Sequence, residues 1–218
     1  DGYEFRNFYP DTRDSTTIDD LLLYKLAEAR NGDIWIGSMN KIYRHDVATG
    51  LFQNYPLQDY IEYPLDAQPM ITQIVENSDG DLYFGVNSAT GYNEYPGLLK
   101  YSQSRNEFEV LELPGGEPVQ NVYRMKINEQ GEIAIICNQG VLIIGEEKTR
   151  FFGWEEISQF PWMEQEAVPD LVWDQHGLLF LPQRLDRHWK ALRAHSDWKR
   201  LRALPYEPAM GTRQRLRP

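Results

Sequence analysis

Arg30-Asn31-Gly32-Asp33-Ile34-Trp35-Ile36-Gly37 is answered, 48 residues on, by Ser78-Asp79-Gly80-Asp81-Leu82-Tyr83-Phe84-Gly85. In both, a turn dipeptide ending in glycine stands between two apolar runs. The pattern returns at Gln130-Gly131 and His176-Gly177, at further spacings of 51 and 46 residues. Glycine suits these positions because a tight hairpin needs positive φ, and the flanking runs predict a two-residue type I′ turn at each. A period of this length marks a repeat architecture, in which each unit buries its apolar face against a neighbour.

Working outward from each glycine gives four strand-length segments. The first strand precedes it, at 22–27, 71–75, 123–127 and 169–173. The second follows it, at 33–37, 81–85, 132–136 and 178–181. The third falls at 41–45, 97–101, 140–144 and 189–193, and the fourth at 51–55, 107–111, 150–152 and 198–201. Four short antiparallel strands per repeat is the pattern of a β-propeller blade. The expectation is an all-β chain, one propeller region over 1–218, with blades at 16–60, 69–114, 119–157 and 167–205. Tyr3-Glu4-Phe5-Arg6-Asn7-Phe8-Tyr9-Pro10 matches a fourth strand without the three before it, so an N-terminal outer strand is expected. A larger propeller would leave apolar faces on the first and last blades. Residues 18–30 contain Leu21-Leu22-Leu23 and could pass locally as a helix, but their place ahead of Asn31-Gly32 favours a strand. A helical turn is expected within 154–166.

The series Gly32-Asp33-Ile34-Trp35-Ile36-Gly37, Ile42-Tyr43-Arg44-His45-Asp46 and Thr49-Gly50-Leu51-Phe52 resembles the two-component regulator propeller repeat. Residues 79–85 with 97–101 are a second match, while the third and fourth units keep only the glycine and the apolar pattern. The resemblance implies a sensor region of a bacterial hybrid two-component system, periplasmic or extracellular, many relatives of which respond to glycan fragments. It implies other propeller blades or signalling domains of a parent protein as partners.

Net charge is −11. It is uneven: residues 1–182 hold 12 Lys and Arg against 30 Asp and Glu, and residues 183–218 hold 10 against 3. An acidic body lacks the basic footprint that nucleic acid requires. No apolar stretch is long enough for a membrane span. No basic-then-apolar leader heads the sequence. The one cysteine, Cys137, lies in a strand-like run and excludes an internal disulfide.

The 2–3 loops and the blade-to-blade connectors are expected on one face. They carry Tyr60, Tyr63, Tyr92, Tyr95 and Trp162 with Asn93, Glu94, Glu62 and Asp66. Aromatic rings beside carboxylate and amide acceptors suit sugar rings, so Tyr60, Tyr63, Tyr92, Asn93, Glu94, Tyr95 and Trp162 form the candidate ligand site for an oligosaccharide or small polar molecule. The same aromatics could instead pack loops onto blades or meet a neighbouring domain. The histidines (His45, His176, His188, His195) fall at unrelated blade positions, and no catalytic or phosphate-loop motif occurs. Carboxylate pairs such as Asp19-Asp20 identify no glycosidase site in so acidic a chain. The expectation is a non-catalytic binder without cofactor or metal. Its alternatives are a protein-interaction scaffold or a propeller-type sugar lyase.

Overall fold

The computed structural model describes residues 7–11, 13–64, 66–91, 95–158, 170–174, 177–181, 190–195 and 201–205. The chain divides into two compact units, Asp1–Glu156 and Ile157–Pro218. The first holds three sheets. Blade 1 is β1 (Leu23–Glu28), β2 (Ile34–Ser38), β3 (Lys41–His45) and β4 (Phe52–Pro56). Blade 2 is β5 (Pro69–Glu76), β6 (Leu82–Ser88), β7 (Leu98–Ser102) and β8 (Glu107–Val110). Blade 3 is β9 (Arg124–Ile127), β10 (Ile133–Cys137), β11 (Gly140–Ile144) and β12 (Thr149–Gly153). The second unit holds β13 (Asp170–Asp174), β14 (Gly177–Leu181), β15 (Lys190–His195) and β16 (Leu201–Pro205). Each sheet is antiparallel with its strands in chain order, the four-stranded propeller blade. Residues 23–28 form a strand, so tertiary pairing overrides the local helical tendency of the leucine run. A short helix, α1 (Trp154–Ser158), follows β12. The fourth strand of the last blade is described over Leu201–Pro205, and residues 198–200 of the expected strand lie outside the described residues. Residues 7–11 form no strand, and residues 1–6 of the expected N-terminal strand lie outside the described residues.

The hairpin turns of the first three blades differ from the expected type I′, and His176 of the fourth lies outside the described residues. Gly32, Gly80 and Gly131 have φ of 88°, 86° and 81°, while Asn31, Asp79 and Gln130 stay at negative φ. Gly80 N–H donates to Asn77 O, and Asn77 N–H donates to Asp81 O. Ala29 with Gly32 and Asp33, and Asn128 with Gly131 and Glu132, repeat that geometry. This is a three-residue loop: an ordinary turn followed by a left-handed glycine that forms a bulge. Only one residue needs positive φ, which is why the residue before the glycine varies freely between repeats.

The first three blades share one register. Ile34 opposes His45, Leu82 opposes Tyr101, and Ile133 opposes Ile144. Leu26, Ile74 and Met125 oppose Ile36, Phe84 and Ile135 in the same way. Alternation then sends one residue set of each blade toward the preceding blade and the other set toward the next. Blade 2 presents Ile74, Leu82, Phe84, Leu99 and Tyr101, all buried, to Trp35 and Ile42 of blade 1. Blade 3 presents Met125, Ile133, Ile135 and Leu142 to Tyr83 and Leu98 of blade 2. A Cβ on Gly37 would meet the Ile71 side chain and carbonyl at 2.6 Å, and one on Gly85 would meet Val122 at 2.5 Å. These glycines end the Trp-Ile-Gly and Tyr-Phe-Gly runs because the next blade's first strand seats on them.

Candidate functional site

Within the first unit, the 2–3 loops and the connectors do share one side. Asn40 N–H donates to Pro69 O, and Leu57 N–H to Asn40 O. Ala89 N–H donates to Gln68 O, and Gly97 N–H to Val119 O. Asn138 N–H donates to Gln120 O, and Gln139 Nε2 to Pro118 O. The indole N–H of Trp154 donates to Asn138 O at 2.8 Å. Hydrogen bonds of this kind, most of them between backbone groups, hold each loop against the following connector.

On this side Tyr60 follows a 3₁₀ turn at Leu57–Asp59. It is half-buried, with its ring 4.6 Å from Phe108. Burial, reinforced by Asp59, raises its phenol. Tyr63 is also half-buried and lies 6.1 Å from Tyr95. Tyr95 is 1% exposed, and burial pushes its phenol up to about 12. The structure therefore brings Tyr63 and Tyr95 together and sets Tyr60 on a different ring. Tyr95 is a core residue and offers no open ring face. Tyr92, Asn93, Glu94 and Trp162 lie outside the described residues. Asp59, Glu62 and Asp66 stay exposed beside the two half-buried tyrosines, so the connector presents carboxylates.

Other polar groups have structural partners. Asp33 is 6% exposed and takes Arg44 at 2.7 Å. Asp81 takes Lys100 at 2.8 Å, and Glu132 takes Arg150 at 3.6 Å. Arg44 and Lys100 also lie 5.8 and 5.9 Å from the rings of Trp35 and Tyr83. Sequence reasoning gave Asp33 and Asp81 no partner. The missed signal was an acid after each hairpin glycine with a cation on the third strand, in blades 1 and 2. Asp19 accepts hydrogen bonds from Lys41 and Tyr43, and Asp20 accepts one from Ser38 at 2.5 Å. Burial opposes ionisation of Asp19, but these donors outweigh it and hold its carboxyl below the usual range. Cys137 is fully buried, burial raises its thiol, and the thiol donates to Gly140 O. No metal-holding group of His, Cys, Asp or Glu occurs among the described residues.

A second feature lies on the face of blade 1 that points away from blade 2. An open groove of about 610 Å³ is lined by Phe8, Leu21, Leu23, Leu26, Ile36 and Phe52, among others. Leu21, Leu23 and Leu26 are 84%, 42% and 60% exposed. Covering each leucine would contribute on the order of 2 kcal/mol. A contiguous apolar surface of this kind marks an interaction face.

No family model matches the sequence, and no curated protein matches it. Among solved structures, the chain is similar to the extracellular domain of the hybrid two component system BT3049 from B. thetaiotaomicron. The identity is 16% and the TM-score 0.57, over 85% of this chain and 22% of that one. It also matches the extracellular domain of BT4673 from B. thetaiotaomicron at 13% identity and TM-score 0.42, over 85% of this chain and 30% of that one. The chain thus spans less than a third of the length of either. No helix among the described residues is long and apolar enough to cross a membrane. Blade order, shared register and the likeness to the BT3049 domain together give the fold: a stack of β-propeller blades.

Proposed function

We propose that this chain is part of the extracellular or periplasmic sensor propeller of a bacterial two-component system, and that it binds ligand without catalysis. The observation that carries the reading is the blade stack, similar in fold to an extracellular domain of such a system. In this reading all four blades belong to one propeller, whose parent protein carries the signalling domains. The ligand is an oligosaccharide or similar polar molecule on the loop side. Tyr60 and Tyr63 supply ring edges there, beside the exposed carboxylates of Glu62 and Asp66. Tyr92, Asn93, Glu94 and Trp162 belong to the same loops in sequence and extend the proposed site.

The test is thermal unfolding against a panel of polysaccharide-derived oligosaccharides. A ligand at 100 times its Kd should add roughly 2.7 kcal/mol of stability. A rise with one glycan class, lost in Trp162→Ala or Tyr63→Ala, is the expected result. A cooperative melt unmoved by every glycan would overturn carbohydrate binding. A second reading, an interaction scaffold, is favoured by the open apolar face of blade 1.

A further inference from the structure

We propose that Asn7 and Phe8 end the outermost strand of a further blade, and that three inner strands of the same polypeptide complete this blade and cover the open face of blade 1. The inference does not depend on what the loop side binds.

The first observation is Phe8. Its ring meets Phe52 at 5.0 Å and His45 at 5.3 Å. By register, Phe52 and His45 are the blade 1 equivalents of Phe108 and Tyr101 in blade 2. Those two rings receive Tyr55, from the outermost strand of blade 1, at 5.1 and 6.2 Å. Phe8 thus does for blade 1 what Tyr55 does for blade 2. The sequence agrees, because Phe5-Arg6-Asn7-Phe8 aligns with Phe52-Gln53-Asn54-Tyr55.

The second observation is Leu23. Its equivalents by register, Ile71 and Val122, seat on Gly37 and Gly85 of the preceding blade. Leu23 is 42% exposed and has no such seat among the described residues. The incoming blade should therefore carry glycine five residues after its hairpin glycine. Gly37 and Gly85 already serve blades 2 and 3, and the corresponding positions in the other two repeats are Ile136 and Pro182. Each of the four sheets also has its own outermost strand. The missing strands are thus none of those described.

The test grafts residues 69–106, which carry the first three strands of blade 2, directly ahead of Glu4 of the full chain. Asn106 is followed by Glu107 in the native chain, so the junction keeps its Asn-Glu pair. The graft presents its own copy of Gly85 to Leu23. The expected result is a melting temperature raised by about 5 °C or more, with loss of dye binding to exposed apolar surface. Gly85→Leu in the grafted copy, or Leu23→Glu, should abolish the gain, while Leu23→Glu leaves the ungrafted chain's melt unchanged. A folded graft with no gain overturns the proposal. Sedimentation of the ungrafted chain decides even where the graft does not fold. A monomer, or nonspecific self-association through an uncovered face, supports the proposal. A discrete dimer dispersed by Leu23→Glu assigns the face to a second copy and overturns it.

Discussion

Gly85 shows how much one hydrogen atom decides. A methyl group there would sit 2.5 Å from Val122 and 2.9 Å from the Cβ of Gln73. Gly85→Ala should cost about 1–3 kcal/mol in denaturant unfolding, because the third blade must shift to make room. Val122→Ala removes the nearer obstacle, so the double variant should cost less than the sum of the singles. Strict additivity would show that the two residues do not meet. The glycine was legible as part of the repeat, but its purpose was not, since the obstacle comes from the next blade. Tyr95 makes the opposite point. Its loop position marked it as a ligand residue, yet its ring is buried in the core between blades 1 and 2. A tyrosine in a loop reads alike whether its ring faces water or the fold.

At the scale of the element, the hairpin turn is the unit that repeats. Asn77 Oδ1 accepts the N–H groups of Asp79 and Asp81 at 3.0 and 2.9 Å. Asn77→Ala leaves both amides without that partner and should cost about 1 kcal/mol. The melt of Asn77→Ala checks this. Asn77→Asp keeps the acceptor and should fall closer to the native protein. An unchanged melt for Asn77→Ala would mean that the glycine alone sets the turn. Strand order and spacing were readable because the glycine anchors recur and apolar residues alternate around them. The turn type was not, because a dipeptide ending in glycine satisfies both the two-residue and the three-residue loop. The ion pairs Asp33–Arg44 and Asp81–Lys100 escaped notice for a related reason. They join positions that only the register of β2 with β3, and of β6 with β7, brings side by side.

For the whole molecule, burial acts on several phenols: Tyr55, Tyr83 and Tyr95 lie in the interiors between blades 1, 2 and 3, and Tyr43 packs with Ile18, Ile36 and Phe52 on the other face of blade 1. Tyr43, Tyr55, Tyr83 and Tyr95 all have raised ionisation, first through burial, and for Tyr55 and Tyr95 the value is about 12. A folded value above the unfolded value of about 10 gives stability that is complete below pH 10. That stability is lost as pH rises through the folded values. The urea midpoint should therefore fall between about pH 10 and pH 12. Phenolate absorbance of the folded protein should lag that of the unfolded chain. Coincident titration of the two states would show these rings to be accessible. The candidate ligand face was only partly legible at this scale. The sequence placed the loops on one side, but which rings turn inward depends on packing between blades.

Every described ladder joins strands that are neighbours in sequence, from β1–β2 through β15–β16. An all-β protein usually folds slowly because distant segments must find one another. Here each sheet closes within its own stretch of chain, so a blade can form as soon as its fourth strand emerges from the ribosome or the export channel. Assembly of the first three blades would then proceed in the direction of synthesis, each templated by the apolar face of the one before.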